Sequence, residues 1–290
     1  MCGRWGSPHL PPAICHIPCL TVKQMPGKAN PPPGPIVFTD FDGTITQLDV
    51  TDEILARLAH PSWQEVEQAW TRGVIGSREC LERQIALVDA SAEELDALID
   101  AVPIDPTFAA FCRFTRKRGI PLYVLSEGFD YWIVRILKRA GMNGPVRNGL
   151  QMFSSALRLE GRRLIPSFPH ALPPCEHGCA TCKAALVRRL GQGKHPIIFV
   201  GDGLSDRFAV DAADVVFAKR QLLDYCQEHG KACRPFDTFA EVEQALAALL
   251  DCALKGHKIV AGGSAPGKRD VRFPTLKGSH HPGSKDARLA

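Results

Sequence analysis

The chain has 290 residues, enough for one large domain or a core domain with a smaller companion. Hydrophobic residues make up an ordinary 45%, and no apolar run approaches the roughly 18 residues of a membrane span, so a soluble protein is expected. The net charge of +4 belongs to the ends: residues 1–35 carry +3, residues 254–290 carry +6 and the middle carries −5, which argues against a nucleic-acid surface on the folded part.

Residues 1–35, with "PHLPP" and "NPPPGP", show neither helical nor strand period and read as a disordered leader in which Met25 is an alternative start. "PIVFTD" (35–40) is a short apolar run that reads as a buried strand. The next segment, 46–103, holds four helical stretches, "DVTDEILARLA", "SWQEVEQAW", "SRECLERQIALV" and "SAEELDALIDAV", two of them opening at a Ser N-cap with an acid nearby. It reads as a helical cap inserted after the first strand. Trp63 and Trp70, seven apart within it, are expected to pack in the core or between cap and core.

From there strands and helices alternate. "IPLYVLS" (120–126), "HPIIFVGD" (195–202) and "DVVFA" (214–218) read as strands. Helical periods cover roughly 106–118, 129–140, 180–190, 204–212, 219–229 and 237–251, and "LRLEGRRLI" (157–165) reads as a hairpin turning near Glu160-Gly161. The pattern predicts a doubly wound α/β fold with a parallel, Rossmann-like sheet: a core of 36–45 and 104–253, a cap of 46–103 and a disordered basic tail of 254–290 that includes His280 and His281. Ligands in such sheets bind beyond the carboxyl ends of the strands, where Asp40, Asp42, Ser126 and Asp202 all fall.

Asp40 and Asp42, two apart at a strand end, point the same way if the strand continues, which suggests a bound cation or a shared proton. Asp202 and Asp206 in "VGDGLSD" add carboxylates at a second strand end. Such an oxygen-rich set suits Mg²⁺, which with few protein ligands works together with a phosphate. Gly43 and Thr44 offer backbone N–H groups and a hydroxyl, Ser126 another hydroxyl and Lys183 a compact positive charge, the groups that position and neutralise a phosphoryl group.

"DFDGT", Ser126 in "VLSEG", Lys183 in "TCK" and "GDGLSD" stand in the order and spacing of the haloacid dehalogenase superfamily of phosphatases, which this sequence resembles. The resemblance implies that Asp40 attacks phosphorus to form an aspartyl phosphate and that Asp42 is the general acid and base. It also implies that Asp40, the backbone carbonyl of Asp42 and Asp202 hold Mg²⁺ with support from Asp206, and that Thr44, Ser126 and Lys183 hold the phosphate. A helical cap between the first two motifs is the arrangement of the phosphoserine phosphatase-like branch. Phosphoserine phosphatase itself has a Glu nine residues past the nucleophile and an Arg in a later cap helix; here those positions are Asp49 and Gln84, with Arg83 beside the latter.

Over about 36–245 the sequence looks most like the 2-hydroxy-3-keto-5-methylthiopentenyl-1-phosphate phosphatases of methionine salvage. "DFDGTIT" followed by Asp49, "GFD", "GCATCK", "AADVVFAKRQLLDYCQEHG" and "PFDTF" carry the likeness. Two positions depart from that pattern: Glu127 stands where the family has a small Gly, and "GDGLSD" replaces "GDSxTD". The implied activity is Mg²⁺-dependent hydrolysis of a small phosphorylated metabolite. The methionine-salvage enol phosphate, phosphoethanolamine, phosphocholine and phosphoserine are the candidate substrates, and a phosphate-binding protein of weak activity on the same scaffold is the other reading. No nucleic-acid or membrane partner is implied, and oligomeric state is open.

Eleven cysteines, an odd number with no evident secretory signal, point to reduced thiols in a cytoplasmic protein. Four residues of "CEHGCATCK", Cys175, His177, Cys179 and Cys182, lie close enough in sequence for a zinc site, the alternative being a run of reduced thiols.

Overall fold

The computed structural model describes residues 34–142, 150–172, 175–194 and 196–254. The expected leader up to residue 33, Met25 and the tail beyond residue 254 lie outside these residues. Seven strands form one sheet: β1 (Ile36–Thr39), β2 (Leu122–Phe129), β3 (Leu150–Glu160), β4 (Arg163–Ser167), β5 (Ile197–Gly201), β6 (Val215–Ala218) and β7 (Arg234–Pro235). Their order is β4-β3-β2-β1-β5-β6-β7, all pairs parallel except the β3–β4 hairpin. This is the expected doubly wound α/β core. The hairpin turns at Gly161, as expected, but β3 starts seven residues earlier than the hairpin pattern suggested, because its first half pairs parallel with β2 before its second half pairs with β4. The two-residue β7 was not anticipated; two residues carry no period.

The period of two along the strands sorts the core into two layers. Val37, Val124, Ile198 and Val200 face one side, against α5 (Phe108–Lys117), α6 (Asp130–Arg139) and α10 (Phe239–Leu254). Ile36, Phe38 and Phe199 face the other, against α7 (Lys183–Leu190), α8 (Arg207–Val210) and α9 (Arg220–Glu228). Strands buried on both faces need continuous apolar runs, which is why "IVFT" and "IIFVG" show no alternation.

Four helices lie between β1 and α5: α1 (Val50–Leu58), α2 (Trp63–Thr71), α3 (Ser77–Ile85) and α4 (Ala92–Ala101). The segment leaves and returns at one place. Thr46 bridges Ile104, the N–H of Gln47 donates to Pro103 O (2.9 Å) and that of Asp105 to Ile45 O (2.9 Å). Its apolar residues, including Ile54, Leu55, Ile85, Leu95 and Ile99, join the first core layer. Asp49 caps α1 by accepting from Asp52 N (3.0 Å), and Ser91 caps α4 in a capping box with Glu94. The other serines do different work: Ser62 makes no side-chain cap bond, and the Ser77 hydroxyl reaches Glu127 instead. Among the described residues no helix is long and apolar enough to cross a membrane.

Candidate active site

Strands β2, β1 and β5 are adjacent and parallel, so their carboxyl ends share one edge. That topology brings Ser126, Asp40 and Asp202 together from positions far apart in sequence. Asp40 follows β1, its N–H held by Val200 O (2.8 Å), and its carboxylate is buried. The carboxylate oxygens of Asp40, Asp202 and Asp206 lie within 4.8 Å of one another. Lys183, the first residue of α7, extends into the group: its Nζ lies 2.8 Å from Asp40 Oδ1, 2.7 Å from Asp206 Oδ1 and 3.1 Å from Ser205 Oγ. Asp206 accepts through Oδ2 from the N–H groups of Asp202 (3.1 Å) and Gly203 (3.3 Å).

Three buried carboxylates against one buried ammonium leave negative charge uncompensated. Burial, then Asp206 and Asp202, push the Asp40 carboxyl well above its ordinary range, against the pull of Lys183. Burial and Asp206 push Asp202 up to about 6. For Lys183, burial alone would lower the ammonium's pKa, but Asp206, Asp40 and Glu127 hold it above the ordinary value. An all-oxygen donor set with surplus negative charge fits a hard divalent cation. The backbone leaves room beside it: Gly43 takes a left-handed φ of +69°, and a Cβ there would stand 2.2 Å from Asp202 Oδ2.

Asp42 is held apart from this cluster. Its Oδ1 accepts from Val50 N (3.2 Å) and its Oδ2 from Ser126 Oγ (3.1 Å), while Ser126 Oγ accepts from Gly128 N (2.9 Å). Burial, then the charge of Asp49, push its carboxyl well above the usual range. The two aspartates of "DFDGT" therefore occupy different surroundings, one bound to an ammonium and one to a hydroxyl and an N–H.

A cavity of about 340 Å³ opens over these groups. Asp40, Asp42, Asp49, Glu127, Lys183 and Asp202 of the sequence-derived set line it. Thr44 and Ser126 do not; both are fully buried behind it. The Thr44 hydroxyl, expected to hold phosphate, donates to Asp202 Oδ1 at 2.7 Å. That contact commits the hydroxyl's one proton to a carboxylate that follows β5. Gly43 likewise spends its N–H on Leu48 O and Thr46 Oγ1 (both 3.1 Å). Glu127 accepts from Ser77 Oγ (2.7 Å) and Ala180 N (3.1 Å), so it ties β2 to the helical insertion and to the loop before Lys183.

The cavity lining also includes residues outside the sequence-derived site set. Trp70 lines the cavity, whereas Trp63 packs on the core as expected. Gln84 is buried and donates to Glu67 Oε2 (2.9 Å), while Arg83 turns outward to Glu79. Arg220 is the largest omission. "AADVVFAKRQLLDYCQEHG" carried family likeness with no catalytic rationale, yet Arg220 Nη1 lies 3.2 Å from both Gly43 O and Asp202 Oδ2, and its Nη2 donates to Gln47 O (2.7 Å). Lys219 donates to Thr44 O (3.2 Å). Arg220 has φ +50°, a conformation costing a non-glycine residue of order 1–3 kcal/mol, which the three hydrogen bonds offset. A lysine-arginine pair directly after an apolar strand was the available signal.

Residues 35–214 match the family model of haloacid dehalogenase-like hydrolases. The chain belongs to the haloacid dehalogenase-like hydrolases. Two similar relatives are named 2-hydroxy-3-keto-5-methylthiopentenyl-1-phosphate phosphatase. The one from Geobacillus kaustophilus (strain HTA426) is 33% identical over 73% of this chain and 94% of its own length. The one from Geobacillus thermodenitrificans (strain NG80-2) is 30% identical over 71% and 93%. Among solved structures, a phospho-aspartyl intermediate analogue of phosphoserine phosphatase superposes with a TM-score of 0.56 at 19% identity, covering 78% of this chain and 100% of that one. An unliganded probable phosphoserine phosphatase from Vibrio cholerae gives 0.57 at 20%, covering 77% and 68%. At these identities the structural likeness is one of fold. Family membership and the phosphatase relatives make this hydrolase an enzyme, a phosphoric monoester hydrolase.

Proposed function

We propose that this hydrolase cleaves a small organic phosphate through an aspartyl phosphate on Asp40, in a site closed over by a cap of residues 46–103. The observation that carries the reading is the buried Asp40–Lys183–Asp206 group at the floor of the cavity, with Asp42 in a separate polar environment beside it. Lys183 engages Asp40 Oδ1, orienting the carboxylate for attack on phosphorus. As the Asp40–phosphorus bond forms, the ester bond breaks and Asp42, whose raised pKa favours the protonated acid, gives its proton to the leaving oxygen. Asp42, now a carboxylate, takes a proton from the water that hydrolyses the aspartyl phosphate, which restores both residues. Asp40, Asp202, the Asp42 backbone carbonyl and, through its support, Asp206 would hold Mg²⁺. The cation would supply charge neutralisation for the phosphoryl oxygens. Closure of the cap over a bound phosphate would exclude bulk water. The described cysteines are free thiols, in keeping with a cytoplasmic placement.

Thr44→Val separates the two readings of that hydroxyl. With Thr44 acting through Asp202, the apparent Mg²⁺ affinity falls about 10- to 100-fold and KM for a generic phosphate ester at saturating Mg²⁺ is unchanged. A raised KM with unaltered Mg²⁺ dependence would return Thr44 to the phosphate.

The named relatives support the methionine-salvage enol phosphate as substrate. A specific observation favours a second reading: Asp49, Asp52, Glu67 and Glu127 line the cavity with Trp70, an acidic wall with an aromatic face that suits a leaving group bearing a positive charge. Phosphoethanolamine and phosphocholine are such substrates. The deciding experiment is a kcat/KM panel over the enol phosphate, these two and phosphoserine. With Glu67→Gln, kcat/KM for a cationic substrate drops about tenfold or more while a neutral one is unaffected or improved. A uniform response across the panel would sink the second reading.

A further inference from the structure

We propose that Cys175, Cys179 and Cys182 bind a thiophilic d10 cation, Zn²⁺ foremost, through three sulfurs. The three Sγ atoms lie within 4.8 Å of one another, in the loop that ends at Lys183. Tetrahedral zinc with Zn–S bonds of about 2.3 Å places its sulfurs about 3.8 Å apart, so closing on the ion requires movements of an ångström or less. A hard cation such as Mg²⁺ does not compete for sulfur ligands.

The backbone is built around these sulfurs. Cys175 Sγ receives the N–H groups of Cys179 and His177, and Cys182 Sγ that of Ala185. Hydrogen bonds of this kind orient a sulfur toward a metal. Gly178 makes the turn between the first two cysteines: its φ is +61° and its N–H donates to Cys175 O (3.2 Å). A Cβ on Gly178 would stand 3.2 Å from Gly76 Cα, so the turn sits directly against the start of α3.

The donor set differs from the four-residue one expected from sequence. The His177 ring stacks on Phe208 at 3.7 Å between centroids and does not join the sulfurs, leaving the fourth coordination position to water. An entry path exists: Cys179 lines a second cavity of about 360 Å³, which shares Trp70, Ser77, Glu127 and Ser205 with the first. The consequence of binding is positional. The loop also presents Ala180 N to Glu127 and carries Lys183 to Asp40, so a bound ion would fix the segment connecting the helical insertion to the site floor.

The test uses the full chain purified under reducing conditions, exposed to Zn²⁺ and passed through gel filtration. Zinc is measured by mass spectrometry, and Co²⁺ replaces zinc to reveal a cysteinate-to-cobalt charge-transfer band. About one equivalent of zinc and the band are expected in the parent and in Cys112→Ser, with both lost in Cys175→Ser and Cys182→Ser. The parent measurement stands even if a variant misfolds. Less than about 0.2 equivalents of zinc and no band in the parent would overturn the proposal, as would undiminished metal in the cluster variants. A mass deficit of two hydrogens mapped to a pair of these cysteines in the reduced preparation would also overturn it, replacing the ion with a disulfide.

Discussion

Asp40→Asn is expected to lower turnover of a generic phosphate ester by roughly 10⁴-fold or more while the fold survives. The amide keeps the shape of the carboxylate but cannot attack phosphorus. Stability should change little, for two opposing reasons. The variant loses the 2.8 Å contact with Lys183, but Lys183 retains Asp206 at 2.7 Å. It also removes a charge whose burial among Asp202 and Asp206 is unfavourable, as the raised pKa of Asp40 records. The measurement pairs steady-state kinetics with a thermal melt. Activity within about tenfold of the parent, with an unchanged melt, would remove Asp40 as the nucleophile. Asp42→Asn should cost less, about 10²- to 10⁴-fold, because water can partly replace a general acid.

Lys183→Met reverses that balance. Its Nζ is buried between two buried carboxylates, and removing one partner of such a group costs about 3–5 kcal/mol because the remaining charges are left unpaired. Urea denaturation should therefore show a large loss of stability together with loss of turnover, where Asp40→Asn shows only the second. The loss should depend on pH in a fixed direction. Carboxyls whose folded pKa lies above the unfolded value stabilise the fold when protonated, and that contribution disappears as pH rises through the folded pKa. In the parent, Asp202 already titrates at about 6. Without the ammonium Asp40 loses the partner that holds its carboxyl down and moves higher, so the deficit should be smallest near pH 4 and widen through pH 6 and above. Added Mg²⁺ should recover part of it at neutral pH. A deficit that shrinks as pH rises would contradict the electrostatic account.

The presence of α7 and of the hairpin before it is a local matter and was legible, although α7 starts at Lys183 and not at 180. So were the strand-end positions of Asp40 and Asp202, because short apolar runs ending in an acid mark both the element and its end. The partners of these residues were not legible. Thr44 looked like a phosphate ligand because it offers a hydroxyl just past Asp40 and Asp42 at a strand end, yet that hydroxyl meets a carboxylate 158 positions away. Glu127 was legible only as a departure from the family's small Gly, and its partners are Ser77, 50 positions before it, and Ala180, 53 after. Arg220 had only a lysine-arginine pair after an apolar strand to announce it. Its place depends on a left-handed backbone at the end of β6 and on the carbonyls of a loop 177 and 173 positions upstream.

What this sequence determined by itself is the alternation of strands and helices, the helical insertion after β1, and the set of oxygen and ammonium groups at strand and helix ends. Hydrophobic period and end-capping are properties of neighbouring residues, so the sequence states them directly. The tertiary structure alone decided which of those groups meet. The parallel order β2-β1-β5 brings three strand ends to one edge, and packing then commits each hydroxyl, N–H and carboxylate to one partner. Hydrogen-bonding capacity is finite and spent across long separations. Thr44 therefore serves Asp202, Asp42 is separated from Asp40, and the three cysteines gather without His177.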